Sequence, residues 1–337
     1  MKPGLPAEAS ADSKPRMHTD FKVILGILAC FVVPFTLTLI HVDQPRPPVD
    51  PASNPTPLGY TWSLTLFLVP CVVLLSWFLR QRRPVLQKRA FWWTAGLMAC
   101  LGMLLDICFG LSFFTFPNPD AVLGIRFYGY APGRGWVPEI PIEEAGFYFL
   151  GCLGILLVYV WGDEYWFGAY NRDDDPRWKY RRYRELVSFH PWSVVYGVLL
   201  FGVGWWYKKY GDHPYHEGFP GYWLFMVSVA VTPSILFYPM AKAFVNWRAL
   251  SLALVATLFV SLFWEAAVAF PYQWWGYNPK QMMGLFITGF SGLPIEAAIL
   301  WMLAGWAVVI AYETLLTVLH LRAGASGSQA KAHIKDR

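Results

Sequence analysis

Residues 90–115 read AFWWTAGLMACLGMLLDICFGLSFFT, an apolar run interrupted by one acid, Asp106. A helix needs roughly 20 apolar residues to cross a hydrocarbon core about 30 Å thick, so this stretch reads as a membrane span. Seven other runs read the same way: about 21–40, 59–79, 141–161, 191–207, 221–241, 248–270 and 294–320. The whole chain agrees, with 337 residues of which 56% are hydrophobic and 15% charged, and a mean hydropathy of +0.37. A soluble chain carries about 25% charged residues. The expected fold class is an all-α integral membrane protein with about eight transmembrane helices.

The basic residues orient these spans. Segments 1–22, 80–89, 162–190, 242–248 and 321–337 hold 21 of the 27 lysines and arginines. The positive-inside bias places them, and both termini, on the cytoplasmic side of the inner membrane. Residues 1–20 are polar and contain proline, and the apolar run after them is long enough to span, so no cleavable signal peptide is expected. Residues 1–20 and 321–337 read as disordered cytoplasmic tails. The net charge of +5 is spread over short loops, not gathered into a stripe, which excludes nucleic acid as a partner. Cys30, Cys71, Cys100, Cys108 and Cys152 lie inside apolar runs without CxxC or Cys/His spacing. A disulfide framework, a zinc ribbon and a thioredoxin site are thereby excluded.

The basic linker 162–190 separates two sets of four spans, 21–161 and 191–320, that share one orientation. Their sequences echo each other. Gly59-Tyr60-Thr61-Trp62 leads to Pro70, and Gly221-Tyr222-Trp223 leads to Pro233. Asp106 lies 35 residues before Pro141-Ile142-Glu143, and Glu265 lies 29 before Pro294-Ile295-Glu296. Tyr159 and Tyr312 each follow that proline by 18 residues. The order predicts two parallel four-helix repeats with a cavity where they meet.

Ionisable groups at membrane depth are costly and are kept for pairing or function. Asp106 and Glu265 sit well inside spans, and Glu143, Glu144 and Glu296 open the fourth and eighth. A proline two positions ahead suits a helix start, where free N–H groups favour an acid, so Glu143 and Glu296 also read as helix-terminal acids. Adjacent helical residues diverge by about 100°, so only one of Glu143 and Glu144 points straight at a site shared with Asp106. Acids crowded in a dry hollow cannot all be charged, and one that keeps its proton can protonate a substrate. Aromatics gather in the same segments, among them Phe113, Phe116, Trp136, Phe147, Trp264, Trp274, Trp275 and Tyr277. A membrane-interface belt explains many of them, and π faces lining a cavity also stabilise a cation.

With these residues assembled, the chain resembles the lycopene cyclase domain family of membrane-integral carotenoid cyclases, in its fused two-domain form. The motifs that carry the resemblance are Asp106, PNPDAVLGIRF at 117–127 and Pro141-Ile142-Glu143-Glu144 in the first half. In the second they are Glu265, Trp274-Trp275-Gly276-Tyr277-Asn278-Pro279, Gly284 and Pro294-Ile295-Glu296. The departures are Ala297 where a second Glu is common and the insertion YGYAPGRGWVPE at 128–139. The resemblance implies a redox-neutral isomerisation. An acid protonates a terminal alkene of lycopene, the cation closes a six-membered ring, and a base removes a proton to leave an ionone end.

On that basis Glu143 and Glu144 are expected to be the proton donor and its partner, with Asp106, Glu265 and Glu296 tuning acidity or taking the final proton. No cofactor or metal is expected, and no GxGxxG follows a strand. The implied partners are a lipophilic carotenoid or polyprenoid, membrane lipids and a second copy of the chain. Two other readings remain open: a cyclase of another polyprenoid, and a proton-coupled transporter.

The remaining motifs read as structural. Asp173-Asp174-Asp175 lies in the basic linker with no second aspartate motif at the usual spacing. His213-Pro214-Tyr215-His216, with Asp212 and Glu217, reads as an outer-loop cluster more than a metal site. Arg177, Lys179, Arg181, Arg182 and Arg184, interleaved with Trp178, Tyr180 and Tyr183, suit anionic headgroups. Pro70 and Pro233 are expected to kink their spans.

Overall fold

The computed structural model describes residues 56–81, 86–171, 192–232, 235 and 244–335, with backbone alone beyond residue 319. Among these residues the chain is mostly helical, and five helices are long and apolar enough to cross a membrane: Gly59–Arg80, Lys88–Phe113, Glu143–Trp166, Trp247–Ala269 and Ile295–Leu319. They coincide with five of the eight expected spans. A further helix, Trp192–Tyr210, falls on the fifth span but is less apolar, with Lys208 and Lys209 at its end. Of the sixth, Gly221–Val231 is described. The 21–40 span, Pro233, the Asp173–Asp175 run and the Arg177–Arg184 segment lie outside the described residues.

The helices are α1 (Gly59–Ser63), α2 (Thr65–Arg80), α3 (Lys88–Leu105), α4 (Glu143–Trp161), α5 (Trp192–Tyr210), α6 (Gly221–Met226), α7 (Trp247–Trp264) and α8 (Ile295–Lys335). α4 is the central one, packing against α2, α3, α7 and α8. Its Leu153, Leu156, Leu157 and Val160 pack with Phe91 and Ala95 of α3, Ala249 and Ala253 of α7, and Val308 and Val309 of α8. Small residues at these contacts let the backbones approach closely. The outer sides are apolar too. Trp93, Leu97, Leu101 and Leu104 form one exposed stripe along α3, which in water would be an aggregation surface and suits contact with lipid.

α8 runs on to Lys335, past residue 320, where the sequence reading ends the last span and places a disordered tail. Alanine, a strong helix former, is the commonest residue of this extension, and prolonging a helix costs less than nucleating one.

The loops at one end add three two-stranded antiparallel sheets to this mostly helical chain, which the sequence did not foretell. Strands β1 (Phe114–Thr115) and β4 (Gly276–Tyr277) pair across the two parts of the chain. Strands β5 (Phe286–Ile287) and β6 (Leu293–Pro294) form a second pair. The insertion at 128–139 becomes a hairpin of β2 (Arg126–Ala131) and β3 (Gly135–Pro141). Its aromatics favour extended backbone, and Gly133 and Gly135 supply the positive φ of the turn. Its Arg134 and Glu139 form two hydrogen bonds of 2.6 and 2.8 Å, and the Arg134 guanidinium holds the Glu139 carboxyl below its ordinary range.

Asn246 ties the opposite end together. Its Oδ1 accepts from the N–H groups of Arg248 and Ala249, capping α7, while its Nδ2 donates to Asp163 Oδ1 at 2.8 Å and Phe167 O at 3.0 Å. Asn246→Ala is expected to lower stability by about 1–3 kcal/mol through loss of the cap and of buried hydrogen bonds. Thermal unfolding in detergent measures it.

Candidate active site

Asp106 and Glu265 each begin a π-helical turn, Asp106–Gly110 after α3 and Glu265–Ala269 after α7. Such turns widen a helix locally and re-aim the side chain, and they recur at functional sites. The Asp106 carboxyl lies against Gly110, where an added Cβ would collide with Oδ1. Gly110→Ala is therefore expected to displace the carboxyl and cost about 1–3 kcal/mol of stability. Gly96→Ala, where a Cβ meets nothing within 4 Å, is expected to be neutral or slightly stabilising. Thermal unfolding of the pair compares them.

The five acids proposed from sequence are all buried, but the structure sorts them. Glu143 opens α4, and its Oε1 accepts from Leu123 N at 2.7 Å and Thr61 Oγ1 at 2.5 Å. Glu296, near the start of α8, accepts from Met283 N. Both fasten the loop in front of their own helix. Glu144 turns another way, as helix geometry requires, and its Oε1 accepts from Tyr60 Oη at 2.7 Å. Glu265 is held on both oxygens, by Trp301 Nε1 at 2.5 Å and Tyr277 Oη at 2.8 Å. Burial, reinforced by Glu265, raises the Tyr277 phenol well above its ordinary range, so it remains a donor.

Glu144 and Glu265 line one cavity of about 40 Å³ together with Tyr60, Phe114, Phe116, Phe147, Tyr148, Trp264, Trp275, Tyr277 and Leu300. Its walls are aromatic. Trp264 lies 4.5 Å from Trp275 and 5.3 Å from Phe147 between ring centroids, and Tyr60 lies 4.9 Å from Trp275. Asp106 does not line this space. Among the described residues neither of its oxygens has a hydrogen-bond partner.

Of the aromatics proposed for the cavity, Phe116, Phe147, Trp264, Trp275 and Tyr277 line it. Phe113 packs with Tyr222 and Met282 instead, and Trp274 stacks on Tyr60 at 6.5 Å while donating to Thr56 Oγ1. Trp136 is 59% exposed on the hairpin, because strand alternation turns it outward. Tyr60 was legible only as part of a repeated Gly-Tyr, with nothing in the sequence to place it on Glu144.

Two further buried acids lie towards the other end of the helices. Glu313 accepts from Tyr159 Oη at 2.6 Å, and Asp163 accepts from Asn246 and Asn171. Glu313 falls inside the last apolar run, so a search of that run for acids finds it. His213 has both ring nitrogens engaged, Nδ1 accepting from Tyr215 N and Nε2 lying 3.0 Å from Tyr207 O. Among the described residues no group of three His, Cys, Asp or Glu side chains is placed to hold a metal.

Compared with family models, curated proteins and solved structures, the chain matches none.

Proposed function

We propose that the chain is a membrane-embedded cyclase of the lycopene cyclase type, held in the inner membrane with both termini cytoplasmic and built from two parallel repeats. The observation that carries this reading is one aromatic-walled cavity lined by two buried carboxyl groups, one held by a single donor and the other by two. Trp301 Nε1 is a donor only, so the Glu265 oxygen facing it must accept. Both Glu265 oxygens are held by donors, which suits a proton acceptor and a counter-charge to a cation. Glu144 has one oxygen fixed by Tyr60 and lines the cavity, which suits the donor.

In the reaction, the Glu144 proton adds to a terminal alkene carbon and the π bond becomes a tertiary cation. The neighbouring alkene attacks that cation, forming the ring carbon–carbon bond and moving the positive charge onto the ring. The faces of Trp264, Trp275 and Phe147 stabilise the charge. Glu265 then removes a ring proton, leaving an endocyclic double bond and a product isomeric with the substrate. A space of about 40 Å³ admits only a few water-sized groups, so an end group enters by parting the aromatic walls, and closure behind it excludes water that would trap the cation. Coexpression with lycopene-forming enzymes tests the reading: chromatography is expected to show cyclic yellow pigment replacing red lycopene, and unchanged lycopene would reject it.

A further inference from the structure

The β2–β3 hairpin does not line the cavity, and its two faces differ. On one face Gly129, Ala131 and Ile140 are buried. β2 packs on the Asp106–Gly110 turn and on Leu111–Phe113, the last residues of the span that begins with α3. A Cβ at Gly129 would meet Leu111 and Ile140, so glycine lets the strand lie this close. On the other face Tyr128 and Tyr130 follow the strand alternation, and Trp136 stands opposite Tyr130 with 5.8 Å between ring centroids. All three are exposed, as are Leu123 and Ile125 just ahead of β2.

The span under the hairpin sets its depth. Lys88–Phe113 has 26 residues, a helix about 39 Å long against a hydrocarbon core of about 30 Å. Lys88 and Arg89 mark one end, so the hairpin packs where the other end leaves the hydrocarbon. The hairpin's own chemistry agrees from both sides. Among the described residues its sheet has two strands, so each strand keeps one edge of backbone groups that pair with no strand, and hydrocarbon does not tolerate such edges. Bulk water in turn disfavours a cluster of exposed rings. The headgroup layer suits both, because it shelters the rings and offers polar partners to the tyrosine hydroxyls and the indole N–H.

We propose that the face of the hairpin formed by Tyr128, Tyr130 and Trp136 lies in the headgroup layer of the leaflet away from Lys88 and Arg89, with the phospholipid surface as its partner. This goes beyond ring closure and requires only that the spans lie in a membrane.

The purified full chain in phosphatidylcholine vesicles tests this by photocrosslinking. One set of vesicles carries a lipid with a diazirine in its headgroup, the other a lipid with a diazirine at the end of an acyl chain, and mass spectrometry of peptides maps the adducts. Residues 126–139 are expected to take at least about threefold more adduct from the headgroup probe than from the acyl-end probe, and the stripe of Trp93, Leu97, Leu101 and Leu104 on α3 the reverse. A hairpin labelled by neither probe while α3 is labelled would overturn the inference. So would a hairpin labelled chiefly by the acyl-end probe, or crosslinked instead to a second copy of the chain. An α3 stripe free of adduct would reject the membrane placement and the inference with it, whereas failure of ring closure bears on neither.

Discussion

Glu144→Gln is expected to lower ring closure by about 10²–10⁴-fold, the usual contribution of a positioned general acid, with the protein still folded. The amide keeps the size of the carboxyl and can accept the Tyr60 hydroxyl bond of 2.7 Å through its carbonyl oxygen, but it has no acidic proton to give. Glu143→Gln makes the comparison sharp. Its carbonyl oxygen can still accept from Leu123 N and Thr61 Oγ1, and this side chain does not line the cavity, so ring closure is expected within about tenfold of the parent. Rates in vesicles, with thermal unfolding of each variant, separate the two glutamates. Equal losses would mean that the cavity does not select between them.

Glu265→Gln is expected to lower the rate by about 10²-fold or more, because it removes both the base and the charge that answers the cation. It also disturbs the hydrogen bonds. Trp301 Nε1 and Tyr277 Oη both donate to the carboxyl, and an amide has only one accepting oxygen, so one side faces a second donor. Glu265→Asp, which restores the charge at a shorter reach, is expected to recover part of the loss. A Glu265→Gln variant closing rings at the parent rate would remove Glu265 from the reaction.

Much of this architecture was legible in the sequence because hydrocarbon is a strict solvent. A long apolar run has few options, and the five apolar helices fall on runs read directly from composition. Acids in such runs attract notice because burial is costly, which led to Asp106 and Glu265. The sequence could not separate Glu143 from Glu144, since neighbours in a motif differ only in direction and direction depends on what each side chain meets. Glu143 meets Leu123 N–H and Glu144 meets Tyr60, which lies 84 positions away. The strands were missed for a related reason: pairs as short as Phe114–Thr115 with Gly276–Tyr277 carry no periodicity, and only proximity creates them. Trp136 was read as a cavity residue by composition alone, and the hairpin turns it outward.

The most direct measurement of the central claim is the hydrogen isotope content of the product. The purified chain in vesicles prepared in D₂O, given lycopene and no added cofactor, is expected to yield cyclic isomers with one deuterium per ring, delivered from the exchanged carboxyl of Glu144, and the Glu144→Gln variant is expected to leave lycopene unchanged. Cyclic product free of deuterium, or full conversion by the variant, would contradict the account.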